Sequence, residues 1–363
     1  MTAASTARRY VGLAGGVLGV AAAGAGAAVL AERRLTSRRR ARLRPELGSL
    51  RGQRRDVVAD DGVRLAVEVD EAAAGSAGGD GRGNGTTLVF VHGYALNLDS
   101  WHFQRKALRG RHRLVLYDQR SHGRSARSPS DHCTIDQLGR DLAAVLDSVA
   151  SDTSVVLVGH SMGGMTILAL AEQRPEWFGD RVTGVVLAST SADSLNAETL
   201  GLPGLPGRLL HQLTPALMAT LAHAPRLVET GRRAGSEFSY VLTRRLGFGR
   251  HVAPEIVEFT DEMLAATPFE VVADFFPGFD VHDKRNALPA LQSLPCVVVC
   301  GSLDAITPVE TCRRIAELVP SADFVEIADA GHMVILERPE EVTDAITDLL
   351  SRADLGRDGP ASR

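Results

Sequence analysis

The sequence has few cysteines and almost no lysines. Four cysteines occur in 363 residues, and Lys106 and Lys284 are the only lysines, so arginine supplies nearly all the cations. Neither a CxxC pair nor a Cys/His spacing typical of zinc sites occurs, which argues against a metal site and predicts free, reduced thiols. The main body also lacks a basic stripe interleaved with aromatic residues. This absence argues against nucleic-acid binding.

Long uncharged runs are equally scarce, and one of 22 residues lies near the N-terminus. Residues 10–31 read YVGLAGGVLGVAAAGAGAAVLA, a stretch rich in alanine and glycine. At about 1.5 Å per residue, a helix of this length reaches about 33 Å, enough to cross a hydrocarbon core of about 30 Å. We therefore expect a transmembrane or signal-like helix here.

The charges around this run suggest its orientation. Residues 1–55 hold twelve arginines against two glutamates, and seven of those arginines follow the run within residues 33–44. The positive-inside rule then keeps the following chain in the cytoplasm, so residues 1–55 form a membrane anchor and a basic juxtamembrane segment. The alternative takes ARRYVGL as a twin-arginine export signal, although the arginines after the run oppose translocation.

From residue 56 onward, strand and helix patterns alternate. The stretch RRDVVADDGVRLAVEVDE is typical of a hairpin that turns at Asp61-Gly62. Six more apolar runs are typical of strands, and TIDQLGRDLAAVLDSVA is typical of an amphipathic helix with Thr134 and Gln137 in a capping-box arrangement. Apolar strands separated by helices predict an α/β fold, with a mostly parallel eight-stranded sheet and helices on both faces.

The alternation stops between residues 191 and 285. This interval contains GLPGLPGRLLHQL and seven of the eleven phenylalanines of the chain. We interpret it as a helical cap inserted between two parts of the core, residues 56–190 and 286–352. Residues 353–363 form a polar tail.

A candidate nucleophile lies in SVVLVGHSMGG, between a predicted strand and a predicted helix. This is the context in which Gly-x-Ser-x-Gly forms a nucleophile elbow, a turn so tight that Gly159 and Gly163 are needed for backbone clearance. Ser161 is then held exposed at the end of the strand. A serine hydroxyl is a poor nucleophile and needs a base that an acid orients.

Candidates for the base and the acid follow downstream. Asp304 ends a strand in VVVCGSLDAITP, and His332 lies after the final strand in IADAGHMVILERPEEV. The order Ser161, Asp304, His332 is that of one known triad arrangement. Asp193, in LASTSAD, is a second candidate for the acid, because it follows the strand after the predicted nucleophile helix.

Together these segments resemble the α/β-hydrolase fold superfamily, above all its capped esterase, non-haem haloperoxidase and C–C hydrolase branches. The similar segments are VFVHGY, YDQRSHGRS, GHSMGG, GSLDAITP and GHMVILERPEEV, within residues 89–342. The resemblance implies that Ser161 is the nucleophile, that Asp304 is the orienting acid, and that His332 is first the general base and then the general acid.

The resemblance also implies an oxyanion hole made by the backbone N–H groups of Tyr94 and Met162. No metal and no cofactor is implied. A serine at the elbow argues against the epoxide hydrolase and haloalkane dehalogenase branches, which use aspartate there. We interpret His92 as a residue that orders the loop carrying Tyr94, here called the oxyanion loop, and His122 and His160 as packing or hydrogen-bonding residues.

The expected function is that of a serine hydrolase that cleaves a carboxylic ester through an acyl-enzyme on Ser161. A lipophilic acyl ester is the expected small-molecule substrate, with membrane contact through residues 10–31 and no nucleic acid. Haloperoxidase or perhydrolase activity and C–C bond hydrolysis use the same triad and stay open. A non-catalytic, ligand-binding member of the fold is the alternative from another class.

Overall fold

The computed structural model describes residues 46–73, 85–195 and 239–357, and within them the chain builds an eight-stranded sheet. The strands are β1 (Gln53–Val58), β2 (Arg64–Asp70), β3 (Thr87–Val91), β4 (Arg113–Tyr117), β5 (Val155–His160), β6 (Val182–Ala188), β7 (Cys296–Gly301) and β8 (Ala322–Ile327). The strand order is β1-β2-β4-β3-β5-β6-β7-β8. Strand β2 is antiparallel to β1 and β4, and the other pairs are parallel, so the sheet is mostly parallel, as predicted.

Helices cover both faces of this sheet. The helices whose two ends lie in the described ranges are α1 (His102–Leu108), α2 (Ile135–Val149), α3 (Met162–Gln173), α4 (Pro254–Ala266), α5 (Phe269–Asp280), α6 (Val309–Leu318), α7 (Val334–Glu337) and α8 (Pro339–Arg357). Short 3₁₀ helices span Leu98–Trp101, Ser130–His132, Pro175–Trp177 and Arg285–Leu291. None of the helices in the described ranges combines the length and apolar character that crossing a bilayer requires. The predicted membrane run, residues 10–31, lies outside those ranges.

Two apolar layers hold the helices to the sheet. Because side chains alternate across a strand, Val89 and Val91 of β3 face one layer while Leu88 and Phe90 face the other. The first layer packs against α2, α3 and α6, and the second packs against α1, α4 and α8. All four cysteines are buried as free thiols, which confirms the prediction.

The hairpin turns where the sequence predicts. Strand β1 pairs with β2 up to Val58 and Arg64, and Gly62 in the connecting loop has a φ of +87°. Its N–H donates to Ala59 O at 3.0 Å, and Ala59 N–H donates to Val63 O at 2.9 Å. Glycine suits this position because a positive φ is strained for residues with a Cβ atom.

The N-terminus of α2 uses half of the predicted capping box. Thr134 Oγ1 accepts from the backbone N–H of Gln137 at 3.1 Å. The Gln137 side chain instead donates to Asp60 Oδ1 at 2.7 Å. The amide therefore ties α2 to the hairpin loop.

The body starts earlier in the chain than the predicted boundary after residue 55. Strand β1 begins at Gln53, and the segment of residues 46–52 lies against α1 and β2. Gly52 N–H donates to Glu68 at 3.0 Å, and the Arg105 guanidinium donates to Leu50 O at 3.2 Å. At the other end, α8 continues to Arg357, into the predicted polar tail.

Of the predicted cap, residues 191–195 and 239–285 are described. Residues 239–247 are helical, and α4 and α5 follow. Leu195, Phe275 and Phe279 pack against Met162 and Met165 of α3, so this part of the cap lies over the start of that helix. Residues 196–238 lie outside the described ranges.

Candidate active site

Ser161 lies in a sharp turn between β5 and α3. Its backbone has a φ of +52° and a ψ of −119°, a conformation that residues with a side chain rarely adopt. Two contacts hold it there: Ser161 N–H donates to Ala188 O at 2.9 Å, and Thr190 Oγ1 donates to Ser161 O at 2.7 Å. The turn directs the hydroxyl away from the strand, as in a nucleophile elbow.

The two glycines of the motif are needed for clearance. A Cβ atom on Gly163 would lie 2.0 Å from Val91 O, and one on Gly159 would lie 2.7 Å from the Gly163 carbonyl carbon. Both contacts involve backbone, which cannot move aside without shifting the sheet. The spacing of the motif therefore follows from the packing of α3 on β3 and β5.

Ser161, His332 and Asp304 form a chain of hydrogen bonds. His332 Nε2 is 3.0 Å from Ser161 Oγ, and His332 Nδ1 is 3.0 Å from Asp304 Oδ2. Asp304 follows β7 and His332 follows β8, so all three side chains lie beyond the carboxyl ends of parallel strands. All three are buried.

The Asp304 carboxylate accepts from several donors. Besides His332, the backbone N–H groups of Ile306 and Thr307 donate to Oδ1 at 2.9 and 2.8 Å, and Thr307 Oγ1 donates to Oδ2 at 2.8 Å. Burial disfavours the charged form, but His332 and these hydrogen bonds hold the pKa of Asp304 below its ordinary value. The carboxylate is therefore ionised at neutral pH and able to orient the imidazole.

Asp193 lies apart from the hydrogen-bonded side chains of Ser161, His332 and Asp304. Its carboxylate is 3.3 Å from Arg285 Nε and 3.4 Å from a terminal nitrogen of the Arg314 guanidinium. Among the described residues, Asp304 is the carboxylate that the structure brings to His332.

The predicted oxyanion loop lies beside the elbow. A Cβ atom on Gly93 would lie 3.2 Å from Ser161 Cβ, so the backbone leading into Tyr94 is adjacent to the serine. Met162 is the first residue of α3, and the N–H groups of a first helical turn have no intrahelical acceptor. Both predicted donors therefore lie on segments next to Ser161.

The cap holds the oxyanion loop from the other side. Tyr94 donates its phenolic hydroxyl to Val272 O in α5, and its ring lies edge-on to Phe279 at 5.0 Å between centroids. Thr267 Oγ1, between α4 and α5, donates to Ala95 O at 2.9 Å. These contacts were not predicted from the sequence.

His92 has both ring nitrogens engaged. Gln119 N–H donates to Nε2 at 2.9 Å, so Nδ1 carries the proton and donates to Gly93 O at 2.8 Å. Burial lowers the pKa of His92 to about 4, so the ring is neutral. These bonds attach the oxyanion loop to the end of β4.

Thr307 is a site residue that sequence reasoning missed. Its hydroxyl contacts Asp304 and lies 3.2 Å from His332 Nδ1. It belongs to GSLDAITP, one of the segments similar to the superfamily, so the motif carried a signal for it. The link between His160 and His332 O, at 2.9 Å, had no such signal, because 172 positions separate the two residues.

The fold and the three side chains define a class of protein. An eight-stranded, mostly parallel sheet with a serine at the β5–α3 turn, an aspartate after β7 and a histidine after β8 is the architecture of the α/β hydrolases. The protein is an enzyme of this class and is similar to carboxylic ester hydrolases.

The comparison with known proteins gives the family. The sequence model of the α/β hydrolase fold family matches residues 86–339, and the chain belongs to that family. It is 30% identical over 278 residues to the dihydrolipoyllysine-residue acetyltransferase component of the acetoin cleaving system of Pseudomonas putida. That match covers 76% of this chain and 65% of the relative, so the chain spans less than two thirds of that protein.

Two further relatives match over nearly their whole length. The 3-oxoadipate enol-lactonase 2 of Acinetobacter baylyi is 27% identical over 272 residues, covering 75% of this chain and 91% of that protein. The solved structure of a thermophilic esterase from Thermogutta terrifontis is 28% identical with a TM-score of 0.62, covering 83% of this chain and 99% of the esterase. In both comparisons, most of this chain corresponds to nearly the whole relative.

Proposed function

We propose that the protein is a serine hydrolase that cleaves carboxylic esters through an acyl-enzyme on Ser161. The observation that carries this proposal is the unbroken hydrogen-bonded chain from Asp304 through His332 to Ser161 Oγ. The esterase and enol-lactonase among its relatives support the same reaction class, since both names describe cleavage of an ester or lactone bond.

In the first half of the proposed reaction, Ser161 Oγ attacks the ester carbonyl carbon while His332 Nε2 takes the hydroxyl proton. Asp304 keeps the imidazole in the tautomer with a bare Nε2 and stabilises the imidazolium that forms. His332 then gives the proton to the departing alkoxide, and the alcohol leaves. In the second half, water attacks the acyl-enzyme with His332 again as base, and the acid and the free serine are released.

In this proposal, the backbone N–H groups of Tyr94 and Met162 donate hydrogen bonds to the negatively charged oxygen of the tetrahedral intermediates. The position of Met162 at the N-terminus of α3 supports it, because the helix dipole favours negative charge there. Tyr94 is held by His92 through Gly93 and by the cap through its own side chain. Fixed donors of this kind stabilise a developing oxyanion without reorganising.

We propose a lipophilic acyl group as the substrate portion bound beneath the cap. The residues around the elbow support this class: Tyr94, Met162, Leu195, Phe275 and Phe279 form one apolar cluster. Each methylene buried in such surroundings contributes about 0.8 kcal/mol. Medium-chain acyl esters should therefore be cleaved with a higher kcat/KM than acetyl esters.

A labelling experiment tests the nucleophile. A fluorophosphonate probe should label the native chain at neutral pH, and Ser161→Ala should abolish the labelling. Ser189→Ala is the matched control, because Ser189 is a buried serine that also has a positive φ at a strand end and is not a member of the hydrogen-bonded triad. Labelling that survives Ser161→Ala contradicts the proposal, and a native chain that neither reacts nor hydrolyses any ester supports a ligand-binding protein.

A substrate panel tests the reaction class. 4-Nitrophenyl esters from acetyl to decanoyl, an aryl lactone and a vinylogous diketone should be offered to the full-length chain and to Ser161→Ala. We expect the medium-chain esters to give the highest kcat/KM. Activity confined to the diketone would favour C–C bond hydrolysis, and peracid formation without ester turnover would favour a perhydrolase.

We also propose that residues 10–31 anchor the enzyme in a membrane with its body on the cytoplasmic side. The seven arginines within residues 33–44 support this orientation. The full-length chain should pellet with membranes through a high-salt wash, whereas a variant lacking residues 1–45 should not. Recovery of a shortened form in the medium would instead support the twin-arginine export signal.

A further inference from the structure

His160 occupies the position between Gly159 and the proposed nucleophile, at the end of β5. Its imidazole is completely buried, and its Nε2 lies 2.9 Å from the backbone carbonyl oxygen of His332. A carbonyl oxygen only accepts hydrogen bonds, so Nε2 carries the proton and donates it. The side chain of His160, which precedes Ser161, is thus hydrogen-bonded to the main chain of His332, whose ring faces Ser161.

The ring also touches the other parts of the site. Its centroid is 5.0 Å from that of the His332 ring, and a Cβ atom on Gly93 would lie 2.8 Å from its Nδ1. Trp101 covers it edge-on at 6.4 Å between centroids. One imidazole therefore lies between the elbow, the oxyanion loop and the segment of residues 331–333 that carries His332, here called the histidine loop.

The hydrogen bond completes the support of the histidine loop. On either side of His332, Gly331 N–H donates to the buried Glu337 carboxylate at 2.8 Å and Met333 N–H donates to Gly247 O at 2.7 Å. The donor for the carbonyl of His332 itself is His160. A leucine of similar volume would fill the space but would leave that buried carbonyl without this donor.

The ring is neutral in its surroundings. Burial, and after it the neighbouring His332, lower the pKa of His160 to about 3, with Asp304 and His92 as the other titratable groups that face it. Nδ1 is buried and accepts no hydrogen bond from the residues that the structure describes. When His332 becomes an imidazolium, it therefore meets no second positive charge from this side.

We propose that His160 is a positioning residue: by donating Nε2–H to His332 O, it fixes the backbone that aims His332 Nε2 at Ser161 Oγ. This inference rests on the proposed function for its kinetic consequence, though not for the hydrogen bond itself. Its effect should fall on kcat, because a displacement of about 1 Å in the reacting geometry lowers rates by about a hundredfold while substrate binding is unaffected.

The test compares two substitutions in the full-length chain. His160→Leu removes the donor, whereas His160→Gln places an amide N–H near the original Nε2. We expect His160→Leu to lower kcat on a 4-nitrophenyl ester between about tenfold and a hundredfold, with KM changed by less than about threefold. His160→Gln should restore kcat to within about fivefold of the native value, because it keeps the hydrogen bond.

His282 supplies a matched control. It is a buried histidine whose Nε2 lies 3.0 Å from Ser191 O and whose Nδ1 has no partner among the described residues, the same pattern without a contact to the triad. His282→Leu should leave kcat within about threefold of the native value. Equal losses of kcat in His282→Leu and His160→Leu would overturn the positioning role, because any buried histidine would then behave alike.

A second measurement does not depend on turnover. In the native chain, ¹⁵N-edited NMR should show a slowly exchanging imidazole N–H for His160, and the ring signals of His332 should change in His160→Leu but not in His282→Leu. Absence of the His160 N–H signal, or unchanged His332 ring signals together with native kcat in His160→Leu, overturns the inference. If the native chain hydrolyses no ester but these NMR results hold, the proposed function fails and the hydrogen-bonded positioning stands.

Discussion

At Asp304, a buried carboxylate is surrounded by donors alone. Two backbone N–H groups, the Thr307 hydroxyl and His332 Nδ1 all point at its two oxygens. An asparagine of the same size has one oxygen and one NH₂ group, so its NH₂ would face groups that already donate. The substitution would therefore favour the wrong tautomer of His332 without emptying the site.

We expect Asp304→Asn to lower kcat at least about a hundredfold and up to about 10⁴-fold, as in comparable triads. Asp193→Asn should lower kcat less than about tenfold, because the Asp193 carboxylate pairs with Arg285 and Arg314 and lies apart from the triad. Steady-state kinetics with both variants, each checked for a native melting temperature, measure the difference. Near-normal activity in Asp304→Asn with collapse in Asp193→Asn would reverse the assignment of the acid.

The proposed triad could be read from the sequence because each member lies in a short local motif with a fixed relation to a strand end. Its supporting contacts could not. His160 and His332 are 172 positions apart, and Tyr94 and Val272 are 178 apart. Such pairings follow from the packing of segments against one another, which no local pattern encodes.

At the scale of elements, the cap and the oxyanion loop are joined by two side chains. Tyr94 donates to Val272 O within α5, and Thr267 donates to Ala95 O in the loop itself. Ala95 has a φ of +56°, which is unfavourable for a residue with a Cβ atom and needs support from its surroundings. The cap therefore helps to hold the backbone that carries the proposed oxyanion donor.

Thr267→Val should lower kcat about threefold to tenfold, because the lost hydrogen bond is worth about 0.5–1.5 kcal/mol and Ala95 would lose its restraint. Thr260→Val is the control: that hydroxyl is also buried, but it bonds to Ile256 O within α4. Active-site titration followed by kcat measurement separates misaligned enzyme from unfolded enzyme. If both valine variants lose the same activity, the oxyanion loop does not depend on the Thr267 hydroxyl.

The elements themselves were largely predictable. All eight strands were predicted from apolar runs, and the hairpin turn from Asp61-Gly62. The inner strands are buried and need apolar side chains, and the turn needs glycine. The start of the body was not predictable. Residues 46–52 are held mainly by backbone groups, such as Leu50 O and the N–H groups of Gly48 and Gly52, and such contacts leave no periodic trace in the sequence.

At the scale of the whole molecule, three buried neutral histidines couple stability to pH. Burial lowers the pKa of His92 to about 4 and, with a smaller effect of neighbouring histidines, lowers that of His122 and His160 to about 3. In the unfolded chain the same groups titrate near 6.5. Between these values the unfolded state binds more protons than the folded state, so stability falls as the pH falls.

We therefore expect the free energy of unfolding to decrease as the pH is lowered from about 6.5 towards 4, by up to about 1.4 kcal/mol per pH unit for each of the three histidines. Urea unfolding at a series of pH values measures this slope. His122→Gln removes one titrating ring and should reduce the slope by up to about 1.4 kcal/mol per pH unit. A free energy of unfolding that stays constant from pH 7 to pH 5 would contradict the neutral state of these rings.

The segment of residues 46–52 has a mechanical consequence. It is fastened to α1 and the turn before it at successive points: Glu46 pairs with Lys106, Gly48 N–H donates to His102 Nδ1, and Arg51 pairs with Asp99. A force that pulls on the chain at residue 46 would load these contacts before it reached the edge strand β1. Tension from the N-terminal side would thus act first on this flank of the molecule, away from the strand end that carries Ser161.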